Sequence, residues 1–457
     1  MDFNSALEPF TEMMRAENLP DAAIRTFSHY YRQLHAGETG EIPEDAIEPV
    51  RDLPSLEDFR GEFTVLGEAA AARTVMIKLN GGLGTSMGMR KAKSLLPVRG
   101  DLRFIDIIAR HALARGVPLI LMNSFATRED SLAALKAYPA LWESPVGIDF
   151  LQHKFPKILQ ADLSPAESPG DPALAWNPPG HGDIYAALGS SGTLSRLLDA
   201  GFEYAFLSNG DNLGAAMDHD LLGYFAHHKL PFMMEVARRT EAVAKGGHLA
   251  VWKGGGYVLR ETAQCPAEDM HHFRNPERHP FFNMNNLWVH LPRLLDRLKE
   301  REQVLGLPLI RNAKTLDPRD PESPKVFQLE TAMGAAIGLF REARAVSVTP
   351  DRFAPVKTTD DLLTVRSDAY ALTEDFRVVL QRETLPQIDL DPDFYRLIDE
   401  FDARFPAGPP SLIECESLKI RGDVAFGGGV VLRGKIEIDN PAGSQIVVPD
   451  GAELVGD

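Results

Sequence analysis

The 457-residue sequence predicts an α/β fold with a mostly parallel sheet, followed by a short parallel β-helix. Three observations carry this reading. From Thr74 onward, apolar runs of strand length alternate with segments of helical periodicity. Two of the clearest runs end directly in loops rich in Gly, Asn or Asp. Near the end of the chain, apolar residues recur every six positions.

The first strand is expected over residues 74–79, leading into a glycine-rich loop. Residues 104–115 read as a helix closed by Gly116 and Pro118. Residues 119–122 read as a second strand, and residues 131–138 as a helix stopped before Pro139. Residues 204–208 form a third clear strand, with further candidates at 232–236, 287–290 and 326–329. In parallel sheets, ligands sit outside the carboxyl ends of the strands. The loops after Leu79, Met122 and Ser208 are therefore the places to look for chemistry.

Residues 1–72 mix amphipathic helix, at 22–27 and Tyr30-Tyr31, with an acidic, proline-bearing loop over 40–54. They carry no recognisable chemistry. At the other end, Leu418, Val424, Val430, Ile436, Ala442, Val448 and Leu454 fall six apart. Ile420, Phe426, Leu432 and Ile438 form a second register. An antiparallel end-domain is the alternative, since six is a multiple of the strand period of two. The expected division is 1–72, a catalytic domain over 73–365, a helical linker over 366–411 and the β-helix over 412–457.

Composition excludes several classes. A net charge of −17 disfavours nonspecific nucleic-acid or acidic-membrane binding. No apolar run is long enough to span a bilayer, and the first residues lack a signal-peptide pattern. Cys265 and Cys415 are the only cysteines, so no disulfide framework is expected and the cytoplasm is the expected compartment.

Three motifs carry chemistry. Lys78-Leu79-Asn80-Gly81-Gly82-Leu83-Gly84-Thr85-Ser86-Met87-Gly88 is followed by Arg90-Lys91-Ala92-Lys93-Ser94. Glycines after a strand let backbone N–H groups approach a phosphate or a base, and Lys93 adds a point charge. The spacing is not G-x-G-x-x-G, and Ala92 breaks the likeness of Lys93-Ser94 to a Walker A ending. The second motif is Asn177-Pro178-Pro179-Gly180-His181-Gly182-Asp183-Ile184-Tyr185. Its His181 is suited to bonding a ligand, whereas Asp183 is expected to cap the following helix. The third is Ser208-Asn209-Gly210-Asp211-Asn212, which puts a carboxylate at a strand's carboxyl end, a natural magnesium position beside polyphosphate.

Together these stretches resemble the eukaryotic-type UTP–glucose-1-phosphate uridylyltransferases, or UDP-glucose pyrophosphorylases. The matching segments are KLNGGLGTSMG with KS at 93, LMNSF at 121, PPGHGDIYA at 178 and SNGDNLGA at 208. KGG at 245, FNMNNLW at 282, NAKTLD at 312, QLETAMGAAI at 328 and PVKTTDDLL at 355 complete the set. The resemblance implies a nucleotidyltransferase-type Rossmann-like domain with a left-handed C-terminal β-helix. It implies that Leu79, Asn80, Gly81, Gly82 and Gly180 contact UTP and that Gln152 reads the uracil edge. It places His181, Asn209, Asn285 and Glu330 on the sugar-phosphate side. It makes Asp211 the ligand of Mg2+, and Lys93 and Lys357 the catalytic pair on the reacting phosphates. The implied substrates are UTP and glucose 1-phosphate, with no nucleic-acid or membrane partner, in a monomer or small homo-oligomer.

Two departures stand out. The family usually carries Lys-Gly-Pro-Lys-Ser where this chain has Arg90-Lys91-Ala92-Lys93-Ser94, which questions the loop's path. Gly210 replaces a bulky aliphatic, which suggests a looser backbone beside Asp211. A broader UDP-sugar pyrophosphorylase is the rival within the enzyme class. An inactive nucleotide-sugar-binding relative is the rival outside it, and the retention of Lys93, Asp211 and Lys357 argues against that.

Overall fold

The computed structural model describes residues 2–239, 246–441 and 443–456. Its centre is a ten-stranded sheet. The strand Thr74–Asn80 lies in the middle, with both of its faces covered, which is why it reads as an unbroken apolar run. Tyr204–Asn209 pairs in parallel on one side of it and Leu119–Asn123 on the other, with Asp149–Leu151 beyond. Phe281–His290 runs antiparallel to Tyr204–Asn209 and is flanked on its far side by Phe232–Arg238. Arg344–Ser347 and His248–Trp252 run in the majority direction, whereas Tyr257–Arg260 and Ile47–Pro49 oppose it. The sheet is therefore parallel-dominated, with an antiparallel minority confined to one side.

Alternation along each strand feeds two cores. Met76, Leu121 and Phe206 enter one, and Val75, Ile77, Ile120, Met122, Ala205 and Leu207 the other. The helix Phe104–Ala114 closes over the first core. Its start is fixed by Asp106, whose carboxylate accepts the Arg103 N–H at 2.9 Å.

Several elements differ from the sequence reading. The expected helix over 131–138 is Arg128–Leu135. Residues 40–54, read as loop, contain the edge strand Ile47–Pro49, where Pro49 is tolerated at the sheet margin. The run at 326–329 is a strand, Lys325–Glu330, but it pairs with Ile310–Thr315 and Ile158–Leu159 in a separate antiparallel sheet. The N-terminal helices Phe3–Ala16 and Asp21–His35 bury Phe10, Phe27 and Tyr31 against Phe155 and Leu329 of that region.

The C-terminal strands pair in parallel throughout, so an antiparallel end-domain does not describe them. Gln387–Asp389, Ser411–Arg421, Val431–Asp439 and Glu453–Val455 form one sheet, and Val424–Phe426 and Ile446–Val448 a second. Leu418, Val424, Val430, Ile436 and Val448 of the six-residue register are buried, and Ala442 lies outside the described residues. Their core is continuous with that of the central sheet, running from Phe104 and Leu362 through Tyr395 and Phe405 to Leu418 and Leu432.

A shared core predicts shared unfolding. Leu418→Ala removes a fully buried side chain and is expected to cost about 2–5 kcal/mol. Urea unfolding followed by tryptophan fluorescence, which reports the central sheet through the buried Trp288, should shift as one transition. A separate early transition that leaves the sheet signal in place would contradict the shared core.

Candidate active site

The ladder brings four strand ends side by side. Asn209 is opposite Leu79, Asn80 is opposite Asn123, and Asn123 is opposite Leu151. Past these ends the chain turns into Gly81-Gly82, Ser124, Gln152 and Gly210-Asp211, and all of these but Ser124 edge a cleft of about 320 Å³. Leu79, Asn80, Gly81, Gly82, Lys93, Gln152, Gly180, His181, Asn209 and Asp211 line it, all residues that the sequence singled out. Ser94, Met122 and Pro178 line it as well.

The glycine loop is held by its surroundings. The Asn80 side chain donates to Asn123 Oδ1 and to Ser131 Oγ, each at 2.7 Å, so it is committed to the scaffold. Ser124 Oγ donates to the Gly81 carbonyl at 2.9 Å. A Cβ on Gly81 would stand 2.6 Å from Gln152 Oε1, so only glycine lets Gln152 lie on the loop. The Lys93 N–H closes the loop onto the Gly82 carbonyl at 3.0 Å. Ala92, where the family usually has proline, sits at φ −51° and ψ 129°, within reach of proline's own geometry. The loop thus keeps a proline-like step without proline.

Lys93 Nζ reaches Asp211 Oδ2 at 2.8 Å, with side-chain exposures of 13% and 25%. The backbone beside Asp211 is tied down, not loose. The Gly210 N–H donates to the Leu79 carbonyl at 2.8 Å, and Gly210 is buried. Beneath it, the fully enclosed Lys78 donates to Ser208 Oγ at 2.6 Å and to the Ala215 carbonyl at 2.7 Å. Burial, and then the charge of Arg352, push the Lys78 ammonium down to about 7.

The opposite wall is the loop around His181. Gly180 has φ +79°, and a Cβ there would meet the Thr331 carbonyl oxygen at 2.5 Å. His181 Nδ1 accepts the Met333 N–H at 2.9 Å, which places the ring proton on Nε2. Burial, and then the charge of Lys357, bring His181 down to about 4, so the ring is a neutral donor at pH 7. Asp183 does not cap the helix Ile184–Ser190 with its side chain. It accepts the His153 N–H at 2.6 Å and meets His153 Nδ1 at 2.7 Å instead. Burial opposes a charge on His153, but Asp183 outweighs it and raises the imidazole above its ordinary value. This clamp fixes the residue after Gln152 to the loop that carries His181.

Three expected residues lie outside the cleft lining. Lys357 is exposed and follows Val356, whose N–H donates to the Asp211 carbonyl at 3.1 Å. Its charge acts on His181 and on Glu261. Asn285 sits at φ +57° in the bend of Phe281–His290 and accepts from Asn283 Nδ2 at 2.7 Å. Glu330 lies behind Gly180, its Cβ 3.0 Å from where a Gly180 Cβ would stand, and burial raises its carboxyl. Glu261, which sequence reasoning missed, has a carboxyl raised by burial and opposed by Lys357 and the Gly247 N–H. Lys245 of the KGG segment lies outside the described residues.

No group of three or more His, Cys, Asp or Glu side chains gathers to hold a metal among the described residues. A half-buried carboxylate beside Lys93 still fits a divalent ion that completes its shell with oxygens of a bound polyanion.

Comparison with known proteins gives a family. The family model described as UTP–glucose-1-phosphate uridylyltransferase matches residues 24–433. The uridylyltransferase of Hordeum vulgare is 40% identical over 425 residues, 90% of this chain and 85% of the barley protein. A mutant of the UDP-glucose pyrophosphorylase of Leishmania major, solved in complex with UDP-glucose, superposes with a TM-score of 0.92 at 42% identity. The match covers 100% of this chain and 99% of that one. The chain belongs to the UTP–glucose-1-phosphate uridylyltransferase family. A Trypanosoma brucei structure described as a UDP-glucose phosphorylase matches at 44% identity with a TM-score of 0.88, covering 99% of this chain and all of that one. The matched span contains every cleft residue named above, and the chain is an enzyme of this family.

The neutral state of His181 has a measurable consequence. Its folded value lies below the ordinary 6.5, so the folded state binds fewer protons. The stability associated with the neutral ring is complete above pH 6.5 and is lost as pH falls towards about 4. An NMR titration should show His181 still neutral at pH 5, and a midpoint near 6.5 would contradict the half-buried, Met333-bonded ring.

Proposed function

We propose that this chain transfers the uridylyl group of UTP to glucose 1-phosphate, releasing pyrophosphate and forming UDP-glucose. The observation that carries it is the Lys93–Asp211 pair at 2.8 Å, set beside the glycine loop between Gln152 and His181. Family membership supports the same reading. Gln152, lying on the Gly81 backbone, reads the uracil edge, and Leu79 to Gly82 with Gly180 line the nucleotide. The neutral His181 donates Nε2–H to the sugar phosphate. Asn209, Asn285 and Glu330 belong to the sugar side, and Glu261 joins them.

In the reaction, a phosphate oxygen of glucose 1-phosphate forms a bond to the α-phosphorus of UTP. The bond between that phosphorus and the bridging oxygen breaks, and its electrons leave with pyrophosphate. No general base is needed, because the attacking phosphate is already ionised. The protein contributes alignment and charge neutralisation. Magnesium at Asp211, when bound, supplies further neutralisation of the phosphate oxygens. Lys93 leaves Asp211 to meet the departing pyrophosphate, and Lys357 neutralises charge where the two substrates meet.

Our reading also includes a left-handed β-helix at residues 412–457, a cytoplasmic location, and the division at residues 72, 365 and 411. Ile47–Pro49, however, crosses the first boundary into the central sheet, and Gln387–Asp389 crosses the last into the C-terminal sheet. The segment expected to be helical also holds the strands Tyr370–Leu372 and Val378–Leu380. The described residues contain no helix long and apolar enough to cross a membrane.

A coupled assay of pyrophosphate release tests the activity. UTP should be strongly preferred over ATP, because a mismatched base leaves buried bonding groups unpaired. Turnover should stop with a chelator and return with magnesium, and Asp211→Ala should be severely impaired at any magnesium concentration. Full activity of that variant would remove Asp211 from the mechanism. Lys357→Ala should lower kcat by about 10²–10³ with little change in KM, and Lys357→Arg should recover only part of that loss.

A further inference from the structure

Lys357 is exposed, yet the backbone that carries it is held at both ends. Downstream, the Lys357 and Thr358 N–H groups donate to Asp361 Oδ2 at 2.7 and 2.9 Å, at the start of the helix Thr359–Arg366. Upstream, residues 351–356 form a strap laid across the loop 211–216. The buried amide of Asn212, 1% exposed, is the rivet. Its Oδ1 accepts the Ala354 N–H at 2.8 Å and the Gly214 N–H at 3.2 Å. Its Nδ2 donates to Asn286 Oδ1 at 3.2 Å and to the Arg352 carbonyl at 3.4 Å. These four bonds use the whole bonding capacity of the amide. Asn212 also forms a bridge to Pro355, and the Val356 N–H reaches the Asp211 carbonyl at 3.1 Å.

The strap has a second anchor. Arg352 donates through Nε and a terminal nitrogen to the fully buried Glu235, each at 2.8 Å, and also to the Ala216 carbonyl at 2.7 Å. The strap lies so close that a Cβ on Gly214 would stand 2.6 Å from the Arg352 carbonyl carbon and the Asp351 oxygen.

We propose that Asn212 is a positioning residue for the transfer, setting where Lys357 stands relative to Asp211. The inference rests on the roles given above to Lys357 and Asp211. One side chain fixes both partners, since Asn212 is bonded in sequence to Asp211 and by hydrogen bonds to the strap that ends in Lys357. A flexible lysine can serve a transition state only if its backbone origin is fixed, because a misplacement of about 1 Å can cost about 10²-fold in rate.

The test is a double-mutant cycle. Asn212→Ala and Gly214→Ala are made singly and each combined with Lys357→Ala. Gly214→Ala displaces the strap without removing a polar group, and it carries the same test if Asn212→Ala does not fold. Either variant alone should lower kcat by about 10- to 100-fold, with KM for both substrates within about 3-fold. The magnesium concentration for half activity should stay unchanged, because Asp211 keeps its ties to Lys93 and to the end of the preceding strand. In the Lys357→Ala background, the further loss should shrink below about 3-fold, since the group being positioned is gone. Additive losses, or a shift in magnesium dependence that accounts for the lost rate, would overturn the inference while leaving the role of Lys357 standing. Near-wild-type turnover of Lys357→Ala by itself would overturn that role, and the inference with it.

Discussion

Parallel register is the constraint on which this site depends. Neighbouring parallel strands bond in a fixed stagger, so residues just past one strand's end stay beside those just past the next. Asn209, Leu79, Asn80, Asn123 and Leu151 occupy that shared edge. The Gly210 N–H extends the ladder one step by bonding to the Leu79 carbonyl. Three chain segments far apart in sequence therefore deliver Gly81, Gln152 and Asp211 to one cleft, and a fourth brings Ser124 onto the Gly81 carbonyl. A slip of one residue would turn these groups to the other face of the sheet.

The edge is kept by polar side chains inside the protein, each with partners. Asn80 ties to Asn123 and Ser131, Lys78 to Ser208 and Ala215, and Glu235 to Arg352, Asn286 and Trp288. An enclosed polar group is costly when unpaired and rigid when fully paired, so these networks fix positions where apolar packing would allow drift. The Lys93 and Asp211 side chains at the cleft are paired and partly buried, and the backbone beneath them is bonded from several directions.

Much of this was legible in the chain itself. The long apolar runs and the glycines after Leu79 marked the central strands and the ends that line the cleft. The strand Asp149–Leu151 was not legible, because three residues carry no period and Asp149 is bound to Arg128. Ile47–Pro49 was hidden for a similar reason, as a short proline-ended strand at the sheet margin. Asp183 looked like a helix cap because its partner, His153, lies thirty residues earlier and is brought near only by the fold. Lys357 has no local mark of function at all. It was recognisable by family likeness, and its neighbours through space explain why it sits where it does. Ala92 shows the converse, since a missing proline looked disruptive but the backbone keeps an angle that alanine also adopts.

The pairing of Lys93 with Asp211 has a consequence for selectivity. The cleft already contains a counter-ion for its own cation. A lone orthophosphate or a metal-free nucleotide must break that contact and then face the bared carboxylate, so it gains little. In the proposed roles, a polyphosphate that arrives with a divalent ion would offer each partner a replacement at once, a positive charge for Asp211 and a negative one for Lys93. With the roles proposed for Lys93 and Asp211, two short-range exchanges made together would make the paired cleft a filter against free inorganic anions.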